Sequence, residues 1–257
     1  TLTWSEDVVG SIAIGGAATS VSMSRLGQNG RVTFSGSAGQ SLGLGVSAAT
    51  GSITVYVRES DGSQLAWGSV SSSGGELDFT LPSAGTYTIF LDPYQGVTAS
   101  ATLTLSADVA SSISIGGSSV AVALARIGQN GRLTFSGAAG QQLGLGISGV
   151  TGFSTGIEIR VRRPDGSTLE WGVSSNSGKE LDFTLDASGI HTVFLDPYRT
   201  NTGSLTVTLS EDVAGTIPIG GASASVSVSR IGQNGRVTFS GVEGQYLGVG
   251  VSGVTMS

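Results

Sequence analysis

One ten-residue segment occurs three times in the chain, and its spacing constrains the fold more than any other feature. GQNGRVTFSG begins at Gly27, GQNGRLTFSG at Gly128 and GQNGRVTFSG again at Gly232, so the copies stand 101 and 104 residues apart. A period of this length matches a whole small domain and exceeds the roughly 20–50 residues of a solenoid rung. The sequence therefore predicts tandem copies of one small domain.

The repeated segments divide the 257 residues into four parts. We predict the last strand of a preceding repeat at residues 1–5, a first repeat at 6–106, a second at 107–210 and the first half of a third at 211–257. Half of such a domain would expose apolar edges, so we expect further sequence or another chain to complete it. Residues 106–110 leave almost no linker, which favours restricted motion between repeats.

Short strands account for the rest of each repeat. Val21-Ser22-Met23-Ser24 alternates apolar and small polar residues, as a strand with one buried face does. Turn signals recur at the roughly 8–12-residue spacing of β-sandwiches, and no stretch has a convincing helical period. The predicted fold class is all-β, with about eight or nine strands per repeat. We expect tandem antiparallel β-sandwich repeats, jelly-roll or immunoglobulin-like, of about 101–104 residues.

Three local patterns give more specific expectations. Leu42-Gly43-Leu44-Gly45-Val46 places glycine on one face of a strand, and such a bare face usually lies under another segment or bends. Asn29-Gly30 predicts a type I′ turn or a similar corner with positive φ. The loop at residues 151–156 is three residues longer than its counterpart at 50–52, which predicts a surface loop.

Several of these strings together resemble a known family. They are GQNGRVTFSGSAGQ, the segment AGTYTIFLDP from Ala84 to Pro93, and the closing TLTLS strand. They look like the tandem repeats of large bacterial surface proteins, which often accompany RHS-type proteins and are similar to pre-peptidase C-terminal-like sandwiches. The resemblance spans both full repeats and the partial third. It implies a secreted, non-catalytic, multi-domain stalk or adhesive region, and it transfers no catalytic residue.

The residue inventory argues against an enzyme. The chain has no Cys and one His, and His191 aligns with Tyr87 in the first repeat. A catalytic base would not be replaced by Tyr in another copy of the same site, so His191 is interpreted as a strand residue. The net charge is −6 with no basic stripe, which argues against a nucleic-acid partner. No apolar run reaches the roughly 18–20 residues of a membrane-spanning helix in this segment.

Recurring acidic residues are the candidates for a metal site. Calcium takes about six to eight oxygen ligands, which sandwich loops can supply from separated carboxylates and backbone carbonyls. An Asp at a strand end can instead form a turn or pair with an arginine such as Arg31. Both interpretations stay open for Asp7, Asp78, Asp92, Asp108, Asp182 and Asp196.

Aromatic residues at matching positions are candidates for a ligand platform. Trp67 and Tyr94 in the first repeat correspond to Trp171 and Tyr198 in the second. Trp offers a flat surface for a sugar ring. However, Trp67 follows Leu65 by two positions, which would place both on one face of a strand and favours a packing role.

The function expected from these observations is structural. We expect a non-catalytic extracellular or cell-surface repeat array that forms a stalk, fibre, filament or adhesion scaffold. Its partners would be neighbouring repeats or copies of itself, joined head to tail. The alternative is an array of carbohydrate-binding modules with a glycan partner. A third interpretation is an adhesin stiffened by calcium; otherwise no cofactor is expected.

Overall fold

A computed structural model describes residues 4–255. The strand predicted at residues 1–5 lies mostly outside this range, as do Met256 and Ser257. Within it, regular structure is almost entirely strand, with one short 3-10 turn at Tyr94–Gly96. No helix in residues 4–255 is long and apolar enough to cross a bilayer. The expectation of an all-β chain is confirmed.

The first repeat contains nine strands. They are β1 (Val8–Ser11), β2 (Thr19–Met23), β3 (Gly30–Gly36), β4 (Ser41–Thr50), β5 (Ile53–Arg58), β6 (Gln64–Val70), β7 (Gly75–Thr80), β8 (Gly85–Pro93) and β9 (Ala99–Ala107). One sheet has the order β1-β3-β8-β5-β6 and the other β2-β9-β4-β7. The strands predicted from alternation are therefore distributed between two sheets.

Period-two alternation explains the core of this repeat. In β3, Val32 and Phe34 are buried while the intervening residues are exposed. The same pattern in β5 and β8 directs the apolar side chains of the five-stranded sheet to one side, where they meet those of β4 and β9 in one core cluster. Burial of such alternating faces is the main stabilising contribution here, because the chain has no Cys with which to form a disulfide.

The second repeat has the same nine-strand plan and its own core cluster. Its strands are β10 (Val109–Ser112), β11 (Val120–Leu124), β12 (Gly131–Gly137), β13 (Gln142–Thr151), β14 (Ile157–Arg162), β15 (Thr168–Ser174), β16 (Lys179–Thr184), β17 (Gly189–Pro197) and β18 (Gly203–Glu211). The sheets run β10-β12-β17-β14-β15 and β11-β18-β13-β16. Two strands follow from the third copy, β19 (Val213–Thr216) and β20 (Gly235–Thr238), and they pair with each other.

Two expectations about pairing and stacking need correction. The sheets are not purely antiparallel, because β1 pairs with β3 in parallel, Val8 opposite Gly30. Each following repeat also packs its backbone onto a sheet of the repeat before it, so the chain is better described as a β-solenoid of stacked units than as separate tandem sandwiches. Repeat length alone does not exclude such stacking.

One local expectation is wrong and another is incomplete. The backbone corner lies at Gly27, whose φ is 73°, whereas Gly30 begins β3 and is buried. The longer loop at residues 151–156 is not merely a surface insertion, because Phe153 is fully buried in the second core cluster. Its ring lies against Gly203, at the start of β18. The three extra residues thus supply a core side chain that the first repeat lacks.

Candidate functional site at the junctions between repeats

The glycines of β4 form the surface on which the second repeat docks. β4 alternates core leucines with Gly43 and Gly45, which face away from the core. The backbone of Ile127 and Gly128 covers this glycine face: a methyl group on Gly43 would overlap the Gly128 carbonyl oxygen, and one on Gly45 the Ile127 carbonyl oxygen. The expectation that this bare face lies under another segment is confirmed.

The same contact recurs between the second and third copies. Gly144 and Gly146 on β13 form the second glycine face, and the Ile231 and Gly232 backbone covers it in the same way. Glycine is required at all four strand positions because backbone rests directly on backbone, leaving no room for a Cβ atom. We call these contacts the first junction and the second junction.

The repeated sequence motif supplies the segment that docks, termed here the docking loop (residues 127–130, and 231–234 in the third copy). Gly128 adopts a φ of 73°, which allows the close approach to Gly45. The side chain of Gln129 braces the loop, donating to the Ala107 carbonyl and accepting from the Ala125 amide. The conserved spacing of these residues within each copy of the motif therefore has a direct structural reason.

The asparagine of the motif makes a polar contact across each junction. Asn130 Nδ2 donates to Asp78 Oδ1 at 2.6 Å, and Asn234 Nδ2 donates to Asp182 Oδ1 at 2.6 Å. A hydrogen bond to a charged acceptor contributes about 1.5–3 kcal/mol, more than one between neutral groups. Asp78 and Asp182 are thus positioned as acceptors for the neighbouring repeat.

An arginine just before each docking loop adds a second polar contact. Arg126 donates from Nε to Ser106 Oγ at 2.7 Å and from its guanidinium to the Gly16 carbonyl. Arg230 repeats both contacts, with Ser210 and the Gly117 carbonyl. Sequence analysis did not single out these arginines, although their recurrence at one position of every copy was visible.

A second arginine anchors the docking loop within its own repeat. Arg132 forms an ion pair with Asp108, whose side chain is only 5% exposed, and Arg236 pairs likewise with Asp212. In the first repeat Arg31 pairs with Asp7 at 2.6 Å. Pairing with an Arg31-type residue is therefore the observed role of Asp7 and Asp108.

Five of the six candidate metal ligands make a polar contact with an arginine or an asparagine. Two pair with arginine and two accept from asparagine, as described above. Asp196 lies 3.6 Å from Arg160, and Asp92 stands opposite Thr54 in the sheet register. Within residues 4–255 no three acidic or His side chains are grouped closely enough to hold a metal ion. The calcium hypothesis stays a prediction.

The tryptophans lie on the outer surface, not in the core. Trp67 is 61% exposed and Trp171 is 58% exposed. A β-bulge is the reason: Val57 faces Ala66 and Arg58 faces Gln64, so Leu65 is the extra residue and the alternation between Leu65 and Trp67 is broken. A core packing role is therefore wrong for both repeats, since Leu169 is bulged in the same way, whereas a packing role at the sheet edge stays a prediction.

The tyrosine candidates do not join the tryptophans in one platform. Trp67 stands opposite Tyr56. Tyr94 follows β8, and its backbone N–H donates to the Ser52 carbonyl. Four residues along β5 separate these positions, about 13 Å at the rise of a strand. Tyr94 is exposed and Tyr198 half-buried. The residues beside Trp67 on the outer face are instead Tyr56 and, across β5, Phe90.

His191 is a core residue. It is fully buried and stacks on Phe135 with 5.3 Å between ring centroids, as Tyr87 stacks on Phe34 at 5.4 Å. Its Nδ1 lies 3.2 Å from the Gly189 carbonyl oxygen, and Nε2 has no hydrogen-bond partner in residues 4–255. The interpretation of His191 as a strand residue is confirmed.

Comparisons with known proteins give distant structural similarities. No protein-family model matches the chain, and no curated protein matches it. A pre-peptidase C-terminal domain of a collagenase from Bacillus anthracis is 13% identical with a TM-score of 0.33, covering 40% of this chain and 95% of that chain. PliG, a periplasmic inhibitor of g-type lysozyme from Aeromonas hydrophila, is 17% identical with a TM-score of 0.29, covering 40% and 98%.

A third similar structure, the M60 catalytic domain with two CBM51 domains from Clostridium perfringens, is 10% identical with a TM-score of 0.23. The match covers 69% of this chain and 34% of that chain. At these scores the similarities define neither fold nor function. One of the structures is a pre-peptidase C-terminal domain, the type named by the sequence resemblance, whereas no family match supports the association with RHS-type proteins.

Proposed function

We propose that the protein is a non-catalytic structural repeat array, in which stiff head-to-tail docking of repeats builds a stalk, fibre or filament. The observation that carries this proposal is the recurrence of one contact at two junctions. Both junctions have a glycine face, a docking loop and an Asn–Asp hydrogen bond. At both, the arginine before the docking loop also donates to a carbonyl of the preceding repeat. A contact between two different surfaces of one repeat propagates without closing, as in open-ended assemblies.

Stiffness follows from the covalent connection as well as from the contact. β9 ends at Ala107 and β10 begins at Val109, so Asp108 alone separates the last strand of one repeat from the first strand of the next. Asp108 is itself held by Arg132. A one-residue connection combined with backbone-on-backbone packing leaves little freedom for the repeats to rotate.

The non-catalytic part of the proposal rests on the residue inventory and on the location of His191. The only His is buried in a core, and the chain has no Cys. Nucleophilic catalysis by a Ser would need an accessible base beside it. An extracellular or cell-surface location belongs to the same proposal and is supported by the sequence resemblance to surface-protein repeats.

Small-angle X-ray scattering tests the stiff array. The proposal expects one extended particle of fixed length for the parent protein. Gly45→Val should widen the first junction and change the scattering curve, whereas Gly85→Ala, a matched glycine with open space around it, should leave it unchanged. A parent curve described only by a broad ensemble of repeat orientations would overturn the proposal.

Electron microscopy of the native material distinguishes among the assembled forms. Regular filaments with an axial repeat of one or two units would assign the protein to a polymer. Isolated rods would assign it to a stalk.

An array of carbohydrate-binding modules is the second candidate, and the exposed tryptophans favour it. Trp67 and Trp171 occupy matching places on the outer face of each five-stranded sheet. An exposed indole on a sheet can stack on a sugar ring. Affinity electrophoresis in soluble glycans, comparing Trp67→Ala and Trp171→Ala with the parent, tests this candidate. Equal mobility of all three proteins in every glycan would remove it.

A further inference from the structure

The first junction has a contact beyond the docking loop. It joins Glu76 on β7 to the loop after β17. The backbone N–H of Arg199 donates to Glu76 Oε1 at 2.9 Å. The side chain of Thr200 packs against Gly74, where a Cβ would meet it. The other carboxylate oxygen, Glu76 Oε2, is buried and has no hydrogen-bond partner in residues 4–255.

The charges around Glu76 come from both repeats and are mixed in sign. β4 pairs with β7 through Gly45 and brings no charge to this point. Asp78 lies on the same strand, and the second repeat contributes the rest of the surrounding charges, which are Asp108, Arg132, Glu158, Arg160, Arg162 and Asp196. Arg160 is already engaged by Glu158 at 2.6 Å and by Asp196 at 3.6 Å. Arg199 and Tyr198 line the same pocket as Glu76. Within residues 4–255 no cation lies within ion-pair distance of the Glu76 carboxylate, and the charges that raise its pKa are those of Asp196 and Asp78.

Burial and like charge act on Glu76 in the same direction. Burial, followed by the charges of Asp196 and Asp78, raises the pKa of Glu76 from 4.5 to about 8, although the Arg199 N–H opposes this. Burial and the charge of Asp78 raise the pKa of Asp196 from 3.8 to about 7. The pKa values of two carboxyl groups on opposite sides of one junction are therefore raised into the range of about 7 to about 8.

We propose that the first junction is a pH-sensitive joint, in which protonated Glu76 holds the Arg199 loop and ionisation of Glu76 releases it. The geometry gives the reason. An ionised Glu76 would keep one oxygen buried without a donor, next to two other carboxylates, and would gain more from water than from a single N–H. The joint goes beyond the structural array proposed above and rests on its docking contact.

The direction of the pH effect follows from proton linkage. Between the ordinary Glu pKa of 4.5 and about 8, the closed joint binds more protons than the open joint does. The contribution of Glu76 to closure is therefore fully present below about pH 4.5 and is lost as the pH rises through about 8. One proton released on opening changes the equilibrium by up to about tenfold per pH unit.

Amide exchange by NMR on the full chain tests the joint at its own hydrogen bond. The protection factor of the Arg199 amide should fall about tenfold or more between pH 5 and pH 8. Glu76→Gln keeps an oxygen acceptor but cannot ionise, so its Arg199 protection should be independent of pH. Glu180→Gln, at the matching position of the second repeat, should behave like the parent. Equal pH dependence in Glu76→Gln and parent, or none in either, would overturn the joint.

Two further observations keep the test decisive. Asp196→Asn removes one neighbouring charge and should shift the midpoint of the Arg199 transition to lower pH, which a general loss of folding would not do. Cross-relaxation between Gly45 and Ile127 reports the docking contact separately. A flat Arg199 profile with this signal present overturns the joint alone, whereas loss of the signal at every pH overturns the array as well.

Discussion

The side-chain amide of Asn130 donates to a carboxylate oxygen of Asp78 at 2.6 Å, across the boundary between two repeats. Asn234 and Asp182 make the same bond one repeat later. These pairs place the function of the asparagine in the junction, although its own sequence neighbourhood reads as a simple turn. They also give the most selective way to weaken a junction without removing core volume.

Asn130→Ala should destabilise the first junction by about 1–3 kcal/mol, because it leaves Asp78 without its donor. Urea unfolding of the full chain measures this loss. Asn29→Ala is the matched control, because it changes the same motif position outside both junctions and should cost less. A double-mutant cycle with Asp78→Ala should show coupling between the two residues. Additive effects would mean that the bond contributes nothing.

Gly45→Val should separate the first two repeats while leaving each core intact. The added side chain would overlap the Ile127 carbonyl and side chain, and overpacking of this kind costs about 1–3 kcal/mol. Hydrogen exchange should show lost protection around the docking loop at residues 127–130. Unchanged protection there would contradict the packing of backbone on backbone.

Phe153→Ala should destabilise the second repeat by about 3–5 kcal/mol, since it empties a fully buried aromatic site. Chemical denaturation followed by hydrogen exchange would assign the loss to residues 107–210. Ser154→Ala, next to it in the same loop and exposed, is the control and should have little effect. An equally mild effect of both substitutions would show that the loop is not part of the core.

His191→Tyr should stabilise the second repeat by about 0.5–1.5 kcal/mol. In the first repeat the Tyr87 hydroxyl donates to the Ser83 carbonyl at 2.7 Å, and Ala187 offers the matching carbonyl. His191 instead leaves Nε2 buried without a partner in residues 4–255. Urea midpoints of the parent and variant measure the difference. A loss of stability would mean that the two core sites differ in shape.

The free energy of unfolding should decrease as the pH rises from about 4 to about 7, in part through Asp196. Burial, aided by the charge of Asp78, raises the pKa of Asp196 to about 7 from 3.8, so the native state holds a proton that the unfolded state has already released. Asp196→Asn should flatten this part of the pH profile. An unchanged profile in Asp196→Asn would contradict the assignment to this residue.

Much of the fold could be predicted from the sequence because its signals are local or repeated. Alternation of apolar and polar residues predicted the strands, and the spacing of the repeated motif predicted the length of each repeat. The bare glycine face of β4 indicated that another segment covers it. What covers it could not be deduced, because Gly45 and Ile127 meet through packing of repeats and not through any pattern in either segment.

The errors have specific physical causes. Leu65 occupies a β-bulge, and a single extra residue reverses the face on which Trp67 lies. Phe153 looked like part of a surface insertion because length, and not burial, is visible in the sequence. Glu76 was missed because its neighbours Asp196 and Arg199 are more than a hundred positions away and belong to another repeat.

The central claim is that adjacent repeats dock in one fixed orientation. Pulsed electron spin resonance tests it directly, because the chain has no Cys and labels at Gln64→Cys and Thr168→Cys, exposed matching positions of the two repeats, would be unique. The account predicts a single narrow distance distribution that broadens in Gly45→Val. A broad distribution in the parent, unchanged by Gly45→Val, would contradict it.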